Sequence, residues 1–139
     1  MTAHALLFTL AAIGISEAVY LLRKTLARQR PVCVIGSRCH LVLESKYNRI
    51  FGIPNEVVGL VFYVAIALIT AFLVIEIGAI AWWDSLAKIL IFAGVVMSVY
   101  FIYLQWVVIK AWCFWCVMSA CTIFLMAFIV LTSDLAFVL

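Results

Sequence analysis

Four long apolar segments constrain this chain more than any other feature. They cover about residues 3–22, 57–80, 86–109 and 112–132. An α-helix rises about 1.5 Å per residue, so roughly 20 apolar residues cross about 30 Å of hydrocarbon. With 70% hydrophobic and only 11% charged residues, the 139-residue chain is excluded as a water-soluble globule. We therefore predict an all-α membrane protein, a four-transmembrane-helix bundle.

The remaining polar residues concentrate in one stretch, residues 23–56, between the first and second spans. This stretch holds seven of the nine Lys and Arg residues. We expect it to form a capping loop, with Pro54 marking the entry to the second span. Too few residues remain for a second domain, so residues 1–139 are predicted to form a single membrane domain. The net charge of +3 is small and localised, which predicts membrane lipid but no nucleic acid among the partners.

Four of the five cysteines form two close pairs, Cys33 with Cys39 in the loop and Cys113 with Cys116 at the start of the fourth span. An even number of crossings places both pairs on the same face of the membrane. A C-x-x-C at a helix start brings two sulfurs to one face, and the helix N-terminus stabilises a thiolate. A mobile pair can exchange a disulfide with an anchored pair through a mixed disulfide. The pattern favours reversible thiol chemistry.

Other functions compete with thiol redox chemistry. The four cysteines would also suit a soft-metal membrane carrier, although Phe114 and Trp115 and the spacing are poor for a structural zinc site, so we expect no metal. Glu17 inside the first span would suit a small proton-coupled exporter. Cys121, alone in the fourth span, is better explained by packing. For redox chemistry, a quinone is the simplest electron acceptor, because the sequence contains no haem ligand pair and no flavin fingerprint.

Several aromatic residues near the cysteine face are candidates for lining a pocket around a quinone ring, although an interfacial belt or core position explains each one singly. They are Phe62, Tyr63, Tyr103, Trp106, Trp112 and Trp115.

The order and spacing of several motifs resemble the vitamin K epoxide reductase family, including its stand-alone bacterial and archaeal members that form disulfides. The resemblance covers nearly the whole chain. The residues that carry it are Cys33 and Cys39, Ser45, Phe51-Gly52, Asn55, Gly59, Phe62-Tyr63, Ser98-Val99-Tyr100 and Cys113-Phe114-Trp115-Cys116.

The resemblance implies a four-helix bundle that encloses a quinone of the menaquinone or ubiquinone type near the C-x-x-C. In this family Cys33 and Cys39 correspond to the pair that exchanges with a thioredoxin-like partner, here expected to act in trans. Cys39 would then exchange with Cys113, and Cys116 would lie beside the quinone ring. The implied activity is that of a membrane thiol oxidase that promotes protein disulfide formation.

The same resemblance implies further quinone-binding residues. Asn55 matches an asparagine that hydrogen-bonds a quinone oxygen, Ser45 matches a loop serine or threonine, and Tyr63 belongs to the motif that follows Asn55. The animal enzymes have a tyrosine where this chain has Ala120. That departure removes one hydrogen-bond donor and weighs against vitamin K epoxide reduction.

The distribution of basic residues predicts the orientation of the chain in the cell membrane. Eight of the nine Lys and Arg residues, Lys110 included, belong to the face that carries the cysteine pairs, and Lys88 belongs to the other. The positive-inside rule therefore favours a cytoplasmic cysteine face. The alternative is that the basic residues contact a partner or lipid headgroups and that the cysteines are extracytoplasmic.

Overall fold

Four long helices form the chain in the computed structural model, which describes residues 2–27, 49–50, 52–110 and 113–138. The elements are α1 (Thr2–Leu26), β1 (Arg49–Ile50), β2 (Ile53–Pro54), α2 (Asn55–Ile75), α3 (Ile80–Tyr103), a π-helix (Leu104–Val108) and α4 (Phe114–Val138). The segments long and apolar enough to cross a membrane are Ala3–Leu26, Asn55–Ile75, Ile80–Val108 and Phe114–Ser133. The predicted four-helix membrane bundle is confirmed.

The turn between the second and third spans lies earlier than the sequence predicted. Helix α2 ends at Ile75 because Glu76 adopts a left-handed conformation, with φ 62° and its N–H donating to the Phe72 carbonyl. Gly78 follows at φ 80°, a conformation that glycine adopts without steric cost. Helix α3 starts at Ile80, so residues 81–85, which lie between the predicted second and third spans, are helical.

The helices pack around one apolar core. Helix α1 lies against α2 and α4, and α3 lies against α2 and α4. The buried core residues are Leu7, Ala11, Tyr63, Ile66, Ile91, Ile123 and Met126. Gly14 allows the close approach of α1 and α2, because a Cβ at this position would overlap the Tyr63 ring. The outer surfaces are also apolar, with Phe92 71% exposed, which places such side chains in lipid.

The end of α1, the start of α2 and the start of α4 meet at one end of the bundle, which we call the cysteine end. Here the Thr25 hydroxyl donates to Glu56 Oε1 over 3.4 Å. The rings of Tyr20 and Trp115 lie 4.7 Å apart. A short antiparallel pairing of β1 with β2 leads into α2, which begins directly after Pro54, as predicted. Residues 28–48, the greater part of the predicted capping loop, lie outside the described residues.

Candidate functional site

A cavity opens between the four helices at the cysteine end. Its volume is about 250 Å³, close to the lower limit of typical small-molecule pockets, which is roughly 300 Å³. Most of its lining is apolar. The polar side chains and thiol in its wall are Glu17, Asn55, Glu56, Tyr63, Ser98, Gln105, Cys116 and Ser119. An apolar slot with a few polar groups suits a flat ring that carries oxygen substituents.

The two cysteines of the C-x-x-C differ in their relation to this cavity. Cys116, in the first turn of α4, is half-buried and lines the cavity. Cys113 precedes α4, is completely buried and packs against Ile109, Phe114 and Trp115. The geometry therefore presents one sulfur of the pair to a molecule in the cavity and withholds the other.

Electrostatics also separate the two sulfurs. A hydrogen bond from the Cys116 thiol lowers the pKa of Cys113, and the backbone N–H groups of Cys116 and Trp115 add to the effect. Burial and the nearby Glu56 carboxylate oppose this shift without cancelling it. This direction favours the thiolate form of Cys113.

Gln105 fixes the entry of the chain into α4. Its Oε1 accepts the Cys113 backbone N–H over 2.9 Å, and the side chain is only 2% exposed. It lies in the π-helix that continues α3, and π-helical segments are frequent at functional sites. Lys110 then turns the chain with φ 56°. The sequence analysis missed Gln105, although a polar residue inside an otherwise apolar span is a detectable signal.

Of the site residues predicted from the sequence, four lie at this cavity or directly beside it. Asn55 opens α2 and lines the wall, as do Tyr63 and Cys116, and Cys113 adjoins Cys116. The remaining three, Cys33, Cys39 and Ser45, lie outside the described residues. No group of three His, Cys, Asp or Glu side chains able to hold a metal occurs within the described part of the chain.

The six aromatic candidates separate into two sets. Phe62, Tyr63 and Trp115 line the cavity. Tyr103 and Trp106 are 54% and 70% exposed, which agrees with a position facing lipid. Trp112 lies outside the described residues. Tyr63 forms the floor of the cavity, where its hydroxyl contacts Ser119 Oγ at 2.6 Å.

Two carboxylates in the wall were not assigned to the site by the sequence. Glu17 on α1 and Glu56 on α2 are 8% and 4% exposed. Glu17 was considered only as the acidic residue of a proton-coupled exporter, and Glu56 was not singled out because it lies at the boundary of the polar loop. Ala120 also lines the cavity, so the hydroxyl that this chain lacks relative to the animal enzymes is missing from the cavity wall itself.

The sequence matches the model of a known protein family. The sequence model described as the Vitamin K epoxide reductase family matches residues 5–131, nearly the whole chain. No curated protein matches the chain.

Proposed function

Because this chain belongs to the vitamin K epoxide reductase family, a family of membrane oxidoreductases, we propose that it is a quinone-dependent thiol oxidase. In this role it takes electrons from a thioredoxin-like protein and so promotes disulfide formation in other proteins. The observation that carries the proposal is the placement of Cys116 in the wall of an apolar cavity, with Cys113 directly behind it.

The electrons follow the two cysteine pairs in order. A reduced thioredoxin-like partner reduces the Cys33–Cys39 disulfide, and Cys39 then exchanges with Cys113, which reduces the Cys113–Cys116 disulfide. The lowered pKa of Cys113 supports its role as the sulfur that exchanges. Cys116 faces the cavity and is the sulfur that passes electrons to the acceptor.

The cavity residues fit a quinone head group. When bound, a quinone accepts two electrons and two protons and leaves as the hydroquinone. The apolar wall holds the ring and excludes water, Asn55 at the start of α2 donates a hydrogen bond to one ring oxygen, and Tyr63 closes the floor. Ser45 of the loop is proposed as a further polar contact.

The test is oxidation of a reduced thioredoxin-like protein by the purified full chain, with a short-chain ubiquinone or menadione as acceptor. We expect turnover that requires the quinone and is lost in Cys116→Ala. Cys121→Ala is the matched control, because Cys121 lies on the same helix but is exposed and does not line the cavity. Turnover retained by Cys116→Ala would refute the electron path.

The orientation of the multi-pass chain is also a proposal. Arg23, Lys24 and Lys110 lie at the cysteine end, as the positive-inside rule expects for a cytoplasmic face. We infer that the cysteine pairs face the cytoplasm, a placement that suits cells with disulfide-rich cytosols. Labelling of the loop cysteines in intact cells by a membrane-impermeant maleimide would refute this orientation. Labelling only after lysis would support it.

A further inference from the structure

Glu17 is an acidic side chain in the cavity wall. It lies inside a membrane span and is only 8% exposed. Its Oε2 atom is buried and has no hydrogen-bond partner among the residues that the structure describes. A buried polar atom without a partner destabilises the fold, and an acidic residue inside a membrane span usually has a function. The cavity is the place where a partner for this carboxyl would arrive.

Glu17 lies slightly deeper in the bundle than Cys116. Tyr20 contacts Trp115, so these two residues lie at one level. Glu17 precedes Tyr20 by three residues and is about 4.5 Å deeper, whereas Ser119 follows Trp115 by four residues and is about 6 Å deeper. Glu17 therefore lies between the level of Cys116 and the floor where Tyr63 meets Ser119. The two levels differ by about 3 Å, so a ring beside Cys116 that extends towards the floor reaches the level of Glu17.

We propose that Glu17 is a catalytic acid, which hydrogen-bonds to one oxygen of the quinone and donates a proton to it. This inference rests on the proposed thiol oxidase function. It adds the residue that moves a proton, a role that the cysteines and Asn55 do not fill, since an asparagine amide donates a hydrogen bond but does not release its proton.

The proton and electron balance closes with this assignment. The Cys113 and Cys116 thiols together lose two electrons and two protons when the S–S bond forms. The quinone gains the same two electrons and two protons. Glu17 gives one proton to a quinone oxygen and regains one from the thiols, and the other thiol proton goes to the second oxygen. The carboxyl is therefore unchanged over a full cycle, and no further oxidant or reductant is required.

Other titratable groups also face Glu17 and contribute to the pH dependence. Tyr63 is near enough to interact electrostatically with Glu17. The titratable groups of the cavity wall besides Glu17 are Glu56 and Tyr63 on α2 and Cys116 on α4, whereas the polar residues from the third span, Ser98 and Gln105, are neutral. Wild-type kcat should therefore fall as the pH rises and Glu17 loses the proton that it donates.

The experiment compares Glu17→Gln and Glu17→Asp with Ser16→Ala, a control at an exposed neighbouring position on α1. With a short-chain ubiquinone as acceptor, we expect kcat of Glu17→Gln to fall about 100-fold or more. Its quinone Kd, followed by quenching of tryptophan fluorescence, should change by less than about tenfold, because the amide still donates a hydrogen bond. The falling limb of the pH profile should disappear in Glu17→Gln and reappear in Glu17→Asp.

A second measurement separates this inference from the proposed function. Without quinone, a reduced partner protein should reduce the cysteine pairs of Glu17→Gln at the wild-type rate, because that half-reaction does not use the acid. If this half-reaction slows as much as turnover does, Glu17 is structural and the inference is overturned. Wild-type kcat and pH profile in Glu17→Gln would overturn it as well. Absence of quinone-dependent turnover in the wild-type chain would instead refute the proposed function.

Discussion

The two ends of the bundle differ in how deeply their polar side chains are buried. At the cysteine end, Glu56 and Gln105 are buried, and Gln105 binds the backbone of Cys113. At the other end, Asp84 forms an ion pair with Lys88 at 2.7 Å and lies 3.8 Å from His4, and all three side chains are partly exposed. The first end buries groups that are costly to desolvate, and the second keeps its charged groups near water.

This difference distinguishes the residues of a chemical site from charged residues that only anchor the bundle. A buried polar group persists at a cost of about 1–3 kcal/mol unless it is hydrogen-bonded, so a cluster of such groups around one cavity indicates a site. A partly exposed ion pair contributes about 0–1 kcal/mol and requires no functional explanation. Substitutions at the cysteine end should therefore change stability and quinone use together, whereas those at the opposite end should change neither by much.

The largest expected effect comes from filling the floor of the cavity. In Gly14→Leu the new side chain would overlap the Tyr63 ring and push it towards Ser119. Overpacking of this kind costs up to about 3 kcal/mol. We expect a lower temperature of thermal unfolding in detergent and a raised quinone KM.

Gly59→Ala is the matched control for stability, since nothing lies within 4 Å of a Cβ at Gly59 in the described structure. Replacing a helical glycine by alanine stabilises by roughly 0.5–1 kcal/mol. Equal unfolding temperatures for the two variants would contradict the tight contact of Gly14 with Tyr63.

The next effect is expected at Gln105. In Gln105→Met the Cys113 N–H loses its acceptor, at a cost of about 2 kcal/mol for a buried donor. Hydrogen exchange of the peptide that contains Cys113 should accelerate, and thiol exchange with the partner should slow. Val107→Met changes an exposed position of the same π-helix and should leave both rates unchanged. Unchanged exchange in Gln105→Met would show that this hydrogen bond does not hold the start of α4.

These cases show how much the sequence predicted. Long apolar segments fix the number of spans, because only helices satisfy their backbone groups in hydrocarbon. The sequence also placed the C-x-x-C at the start of the fourth helix, where the helix N-terminus favours a thiolate. The end of α2 was missed because the left-handed conformation of Glu76 has no reliable sequence signal.

The missed site residues have a different cause. Gln105 and Glu56 are distant from each other in sequence, and only the packing of the helices brings both to the same cavity. Their polar side chains were detectable, but their common position was not. Asn55 and Tyr63 were predicted because the resemblance to a family supplied that spatial information.

A smaller effect is expected for the hydroxyl at the floor of the cavity. Tyr63→Phe removes the contacts of the hydroxyl with Ser119 Oγ and with the Ser119 carbonyl and should lower the unfolding free energy by about 1 kcal/mol. Ser119→Ala removes the Oγ contact from the other side and keeps the carbonyl. In the double variant the two losses should not add, because both include the Oγ contact. Additive losses would show that the two hydroxyls act independently.

The smallest effect is expected at the opposite end. Lys88→Met removes the partner of Asp84 in an i,i+4 ion pair, which is worth about 0.3–0.5 kcal/mol on a partly exposed surface. Turnover should match that of the wild type, because this pair lies away from the cavity. The unfolding temperature should fall slightly at low salt, and the difference should vanish at high salt as the charges are screened. A large loss of turnover in Lys88→Met would remove the functional contrast between the two ends, since it would couple the anchoring charges to the chemistry of the cavity.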